Sequence, residues 1–300
     1  MKKNRPIVTI IGLLCIIIIA LIIAMIIFIK KNNDYSFIRK YGETIKELQV
    51  DKTYENTFNK ILIDTEATDI EIKKSQNETT QLKVYAEEDK VEVTENVYEN
   101  LSELKIKVKT TPCKFLCLNF NKKISKIELY IPENYDKEIK IENNYGNIDV
   151  ESFKNLNLNI DEDAGNIKID AANKVDIKNN YGDITINEII EGKLNSSAGN
   201  IEVNKVNIID AKNNHGNTKI KEINEYVRID ADAGDIKIDK INITRDSSIE
   251  TNLGTIRIDK INEIYVDAST DLGTTSINEN YRESDITLNL ESNLGDIKVN

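Results

Sequence analysis

Tryptophan is missing from this 300-residue chain, histidine occurs once, and proline and cysteine occur three times each. With one histidine, His215, a His-based catalytic triad and a multi-histidine zinc site are excluded within a single chain. Positive charge is the minority: 40 Lys and Arg stand against 51 Asp and Glu, a formal net charge of −11. That balance excludes a general nucleic-acid role, because phosphate binding needs a basic footprint. Beyond one N-terminal block there is no long apolar run. The remaining Ile, Val and Leu stand singly between polar residues, which suits many short half-buried strands and not large helices. Aromatics make only 6% of the chain. No carboxylate stands out of pattern in an aromatic-lined cleft, so carboxylate-pair glycoside chemistry has no visible seat. The expectation is a protein that is not an enzyme and uses no cofactor.

What is present begins with residues 7–29, IVTIIGLLCIIIIALIIAMIIFI, a charge-free stretch long enough as a helix to span a hydrocarbon core. Lys2, Lys3 and Arg5 precede it; Lys30 and Lys31 follow. A cleavable signal would have a shorter apolar region and an A-x-A-like site. Here Ala20 and Ala24 are four apart and the run continues past them. A lipoprotein reading through Cys15 fails because Leu14 precedes it. The segment therefore reads as an uncleaved single span. The charge count on its two sides does not settle orientation. The short charged head favours a cytoplasmic N-terminus and an extracytoplasmic remainder. Residues 1–6 are then a basic tail and 30–54 a juxtamembrane linker. Ile38, Tyr41, Ile45 and Leu48 give 34–50 helical spacing, which Gly42 weakens.

Residues 55–300 form one repeat domain. Nine glycines mark it: Gly146, Gly165, Gly182, Gly199, Gly216, Gly234, Gly254, Gly273 and Gly295, at gaps of 19, 17, 17, 17, 18, 20, 19 and 22. Units such as VDIKNNYGDITI and VRIDADAGDIKI align column by column. Aliphatic residues recur two and four after the glycine, with Thr218 and Thr275 in the first of these columns, and five and seven before it. Gly192 and Ser247 are lapses in the last of these columns. The alternation puts one face in and one out, and its phase breaks at the glycine, where the chain bends. The column two before the glycine holds Asn144, Asp163, Asn180, Ser197, Asn214, Asp232, Asn252, Asp271 and Asn293. Stacked at about 4.8 Å, these turn residues would form a side-chain ladder. No two Asp are successive in it, as in-register stacking requires of like charges.

One rung cannot repay its own ordering entropy, so rungs must stabilise one another. Column identity favours an all-β, right-handed parallel β-solenoid with rungs of 17–22 residues over an antiparallel sandwich. Upstream, ILIDTEATDIEI (61–72), LKVYAEEDKVEV (82–93) and, loosely, LKIKVKTTPCKF (104–115) keep the aliphatic columns without glycine. They read as opening rungs. At the other end the chain stops at Asn300 directly after a strand, so an open C-terminal edge is expected, and with it end-to-end self-association.

The stretch IELYIPENYDKEIKIENNYGNIDV (127–150), followed by repeated x-G-[ND]-I-x-[IV] units, resembles the bacterial "putative adhesin" family of β-strand-repeat domains over about residues 55–300. The resemblance implies a right-handed β-solenoid at the cell envelope, often membrane-attached, and carries no catalytic residues to transfer.

The remaining candidates have plain readings beside the chemical ones. His215 sits in the column before glycine and is expected between Ala198 and Ala233 as a turn residue. Cys113 and Cys117 could form an extracytoplasmic disulfide only if a loop or helical turn brings them together, since one strand holds them about 13 Å apart. Inert thiols are the alternative. The nearby Phe115, Leu116, Leu118 and Phe120 read as core strand or as contact patch. The acidic turns DEDAGN (161–166) and DADAGD (230–235) crowd carboxylates as Ca²⁺ loops do but match no Ca²⁺ motif, so solvated turns are expected. The functional expectation is a membrane-anchored surface module that binds an unidentified protein or glycan partner. An accessory subunit of an envelope-stress or transport system, and a polysaccharide-active β-helix enzyme, are the rivals.

Overall fold

Side chains that alternate in and out cannot bury an aliphatic row unless the backbone is extended. Here that row closes on itself, rung upon rung. The computed structural model describes residues 44–55, 57–98, 101–109 and 124–300. The segment 7–29 and the pair Cys113 and Cys117, with their Phe and Leu neighbours, lie outside these residues. Among the described residues no helix is long and apolar enough to cross a membrane.

Twenty-one strands are found among the described residues. The first seven are β1 (Leu48–Tyr54), β2 (Lys60–Thr65), β3 (Thr68–Lys74), β4 (Thr80–Tyr85), β5 (Val91–Tyr98), β6 (Leu101–Val108) and β7 (Ser125–Ile131). Next come β8 (Glu138–Asn143), β9 (Ile148–Ser152), β10 (Asn157–Ala164), β11 (Ile167–Tyr181), β12 (Ile184–Ala198), β13 (Ile201–His215) and β14 (Thr218–Ala233). The last seven are β15 (Ile236–Ile241), β16 (Ser247–Leu253), β17 (Ile256–Ile258), β18 (Tyr265–Leu272), β19 (Thr275–Ile277), β20 (Thr287–Leu294) and β21 (Ile297–Val299).

From β8 onward every pairing is parallel, with one register shift between Val206 and Ile208 in β13, and Ile148, Ile167, Ile184, Ile201 and Thr218 align rung to rung. The four aliphatic columns read from the sequence are the core. They are buried in each rung except that of Gly273. A fifth inward column, seven after the glycine, holds Phe153, Ala172, Ile189, Val206, Ile223 and Ile241. It also explains one lapse: the Ile189 side chain reaches over Gly192, where a Cβ would come within 2.7 Å of its Cδ1. At the other lapse the Ser247 hydroxyl accepts from the Val227 N–H and donates to the Arg245 carbonyl.

The rungs do not stack in chain order at either end. At the start, β2 and β3 lie between β6–β7 on one side and β8–β9 on the other. Residues 61–72 are thus a true rung directly beneath 139–150. Residues 82–93 are not: β4 runs antiparallel to β7 and β5 antiparallel to β6, closing that end, with β1 antiparallel to β4. The 104–115 rung is built from β6, with β7 supplying its second strand. Strand β1 also replaces the end of the expected 34–50 helix: Val50 and Leu48 take strand pairing with β4, where tertiary pairing overrides local helical spacing.

The C-terminal end corrects the expectation of an open terminal strand. β20 lies between β16 and β18, and β21 between β17 and β19. The outermost rung is therefore 265–277, not 287–299, and self-association through the C-terminal strand loses the edge it required. Composition gives the reason. The rung of Gly295 points Leu288, Leu290, Ile297 and Val299 inward, all buried. The rung of Gly273 offers Ala268 and Thr275 at two of the same columns, and Thr275 is exposed. Sandwiching the richer rung buries more apolar area, and each aliphatic side chain so covered contributes about 1.5–3 kcal/mol. The outer edge is partly closed as well. Asn280 bonds both backbone groups of Val266, its Oδ1 accepting from the N–H and its Nδ2 donating to the carbonyl, each at 2.9 Å.

Two outcomes are expected. Glu250 and Glu291 are register partners, so an E250C/E291C pair should form a disulfide spontaneously. An E250C/S269C pair, two rungs apart at about 9.6 Å, should not; the reverse pattern on a non-reducing gel would refute the inserted order. At Gly216, φ is +141° and a Cβ would lie 2.1 Å from the Gly199 carbonyl oxygen. Gly216→Ala should therefore cost about 3 kcal/mol or more in chemical denaturation. Gly192→Ala, which meets only a movable Ile189 tip, should cost far less.

Candidate functional site

Each turn presents four columns: a polar residue two before the glycine, one residue before it, the glycine, and one residue after it. Because the rungs are in register, each column becomes a row along one edge of the stack.

The row after the glycine is the most continuous. The side-chain oxygens of Asp69, Asn147, Asn166, Asp183, Asn200, Asn217 and Asp235 each accept from the backbone N–H of the same column in the next rung, and Asp296 does so toward Thr274. These bonds measure 2.7–3.1 Å. They satisfy turn N–H groups that no strand partner reaches. The G-[ND] pair in the repeat carries this signal, and sequence reasoning left it without a role.

The row two before the glycine forms the expected ladder in two stretches. Asn180 donates to Asp163 and Ser197 to Asn180. Farther on, Asn252 donates to Asp232 and Asn293 to Asn252. Asn144, Asn214 and Asp271 share the column without such a bond to a neighbouring rung. The acidic turns spread their carboxylates apart. Asp161 pairs with Lys178, Asp163 takes Asn180, and Glu162 turns inward to Asn143. Asp230 faces Lys212 and Asp232 takes Asn252.

Three before the glycine lies a column the sequence reading passed over because it looks like the polar side of a strand. It is buried. Asn179 donates to the carbonyls of Gly165 and Gly182, Asn213 to those of Gly199 and Gly216, Thr251 to Gly234, Ser292 to Gly254 and Thr270 to Gly295. The bend turns these glycine carbonyls toward the interior, and the column supplies donors to those of Gly165, Gly182, Gly199, Gly216, Gly234, Gly254 and Gly295. Glu162 belongs to it, fully buried. Burial pushes the Glu162 carboxyl up to about 8 against the opposing bonds from Asn143 and the Ala164 N–H, and the neighbouring charges of Asp163 and Asp161 add to the rise.

The row directly before the glycine faces solvent. In spatial order it reads Tyr145, Ala164, Tyr181, Ala198, His215, Ala233, Leu253, Leu294, Leu272, with neighbours set by strand register. Tyr181 is 66% exposed, Leu272 68% and Leu253 50%. His215 lies here as expected, paired in register with Ala233, its Nδ1 3.3 Å from the Ser197 carbonyl. Leu253, Leu272 and Leu294 are consecutive in this column along the chain, and the insertion of the last rung keeps them one uninterrupted apolar run with Leu294 at its centre. Outward faces elsewhere carry cross-rung ion pairs, including Lys174–Glu191, Lys205–Glu188 and Lys219–Glu202. Near the closed end, Lys73 and Lys126 each bridge Glu71 and Glu128. Partial burial acts to raise both glutamates, but the two ammonium groups override it and hold them below the usual carboxylate range. No three His, Cys, Asp or Glu side chains converge as a metal-holding group among the described residues.

The family described as Toastrack DUF4097 matches residues 58–299. Among solved structures, a "putative adhesin" from Bacteroides fragilis is 19% identical, with 85% of this chain and 98% of that chain covered and a TM-score of 0.42. A "putative adhesin" from Parabacteroides merdae is 12% identical, covering 86% and 99%, with a TM-score of 0.44. A "putative lipid binding protein" from Parabacteroides distasonis is 15% identical, covering 86% and 100%, with a TM-score of 0.40. None of the curated proteins matches the chain.

Removing one link of the outer ladder should act locally. Asn200→Ala leaves the Asn217 N–H without its acceptor and should cost about 1 kcal/mol. Faster amide exchange confined to the Gly199 and Gly216 turns is the expected readout; a change spread evenly over the solenoid would count against the ladder.

Proposed function

Since the chain belongs to the Toastrack DUF4097 family, we propose that it is a non-enzymatic binding module that meets its partner along the turn edge of its solenoid. One observation carries this reading: large apolar side chains occupy solvent-facing turn positions and align by register into a row. Turn columns favour small polar residues. Tyr145, Tyr181, Leu253, Leu272 and Leu294 gain little there from folding alone, and contiguous exposed apolar surface marks contact sites. Asx rows on either side would give the polar rim that specific interfaces have around an apolar centre.

The proposal places this edge outside the cytoplasm. Residues 7–29 act as the single membrane span, with the basic head in the cytoplasm, and the coil is taken as right-handed by the crossover rule. The partner is an uncharged or basic protein or glycan surface, because an acidic chain repels polyanions, nucleic acid included.

On intact cells, a photo-crosslinking residue at position 181, 253 or 272 should capture a discrete product. The same residue at 202 or 219, on an ion-paired outward face, should not. Equal capture at both sets of positions would remove the turn edge from the proposal. Protease added to those cells should cut the chain, and full protection until lysis would reverse the orientation.

A further inference from the structure

Glu162 is the single Asp or Glu buried among the described residues. It stands three before Gly165, in a column five of whose members donate to glycine carbonyls, while Asn143 donates to the Thr68 carbonyl and to Glu162, the Ser196 hydroxyl has no partner and Ala231 has no donor. Where the column holds a donor aimed at a glycine, its direction recurs. Asn179, Asn213, Thr251, Ser292 and Thr270 each donate to the glycine carbonyl of the rung beneath. The rung beneath Glu162 is that of Gly146. Among the described residues no side chain donates to the Gly146 carbonyl, because Asn143 spends its Nδ2 on Thr68 and on Glu162 itself. Directly above, in register, Asn179 keeps a buried Oδ1 with no hydrogen-bond partner. By register Glu162 lies between the rungs that carry these two acceptors, and a carboxylate can donate to neither.

Among the described residues no cation pairs with the Glu162 carboxyl. Oε2 accepts from Asn143 Nδ2 at 2.9 Å and Oε1 only distantly, at 3.3 Å, from the Ala164 N–H. On its own strand Glu162 is flanked by Asp161 and Asp163. On β11 the nearest cation, Lys178, is taken by Asp161; on β8, Lys140 is taken by Glu142. Asp69, on β3, accepts from the Asn147 N–H at the turn surface. The other members of its column and its rung below, Asn143, Thr65 and Thr68, are neutral.

We propose that Glu162 is built into the stack as a neutral carboxylic acid whose O–H donates into the glycine-carbonyl column, so that losing its proton to solvent loosens the solenoid between the rungs of Gly146 and Gly165. The junction is where the irregular opening rungs meet the regular repeat. The direction of pH dependence follows from the raised pKa. Stability is complete below about 4.5, the unfolded value, declines as pH rises, and is lost through about 8. A surface module with this device holds firm in acid and opens at mildly alkaline pH.

The test uses the full chain in detergent. Amide exchange, corrected for the intrinsic rate, is followed by mass spectrometry from about pH 6 to about pH 9. Protection over residues 143–167 should fall on the order of a hundredfold or more, while residues 218–238 keep theirs. Glu162→Gln, whose amide donates at every pH, should remove the loss. Parallel pH responses in the two proteins, or an even response along the solenoid, overturn the proposal. Infrared spectroscopy decides the matter even if the variant misfolds. Near pH 6.5 exposed carboxyls are ionised, so the wild-type chain should still show a protonated-carboxyl stretch that disappears at high pH. Its absence near pH 6.5 overturns the proposal.

Discussion

Everything in this solenoid depends on one close approach: glycine resting on the carbonyl oxygen of the glycine below it. At Gly234 a single added carbon would lie 2.0 Å from the Gly216 oxygen. That contact sets how tightly the turns stack, and so the register of every strand leaving them. With register fixed, a residue type at one position becomes a row. The aliphatic rows fill the interior, the Asx rows tie turn to turn, and Lys and Glu at the same column pair across rungs.

The approach has a cost that the sequence must meet elsewhere. A backbone that bends this way sends a carbonyl inward, where an unpaired acceptor costs about 1–3 kcal/mol. The buried Asn, Ser and Thr three residues earlier answer that need. This column was illegible as core because its residues are polar and sit in phase with strand positions that look solvent-facing. Only the inward carbonyls explain why Asn179 and Asn213 are fully buried. The aliphatic columns were legible because Ile and Val alternate with charge on both sides of each glycine. The outward ladder through Asp163, Asn180 and Ser197 was legible for the same reason.

Order along the stack was the part the sequence could not disclose. Rungs that share a column pattern fit one on another in more than one sequence, and only the difference in inward composition decides. Ala268 and Thr275 against Leu290 and Ile297 make that decision at one end. The hint was present but ambiguous, since Ala211 and Thr218 make the same substitutions in an interior rung. At the other end, antiparallel β4 and β5 carry aliphatic alternation indistinguishable from that of a rung, so direction could not be read from residues 82–93. The exposed row on the turn edge inherits this. Its three leucines are consecutive in the sequence column too, but only the folded order puts Leu294 between Leu253 and Leu272.

Inserting the rung of Gly295 between two earlier ones makes that part of the stack wait for a segment that follows both of its neighbours in the chain. A ribosome delivers 265–277 before the strands that must lie beneath it. Until 287–299 emerges, the rung of Gly254 has its neighbour on one side only, the rung of Gly234, and its inward Ile249, Ile256 and Ile258 lack their cover on the other. A chain cut short by even this small amount loses an interior layer, not an outer one. The cover of Ile249, Ile256 and Ile258 therefore depends on a segment that comes after the outermost rung in the chain.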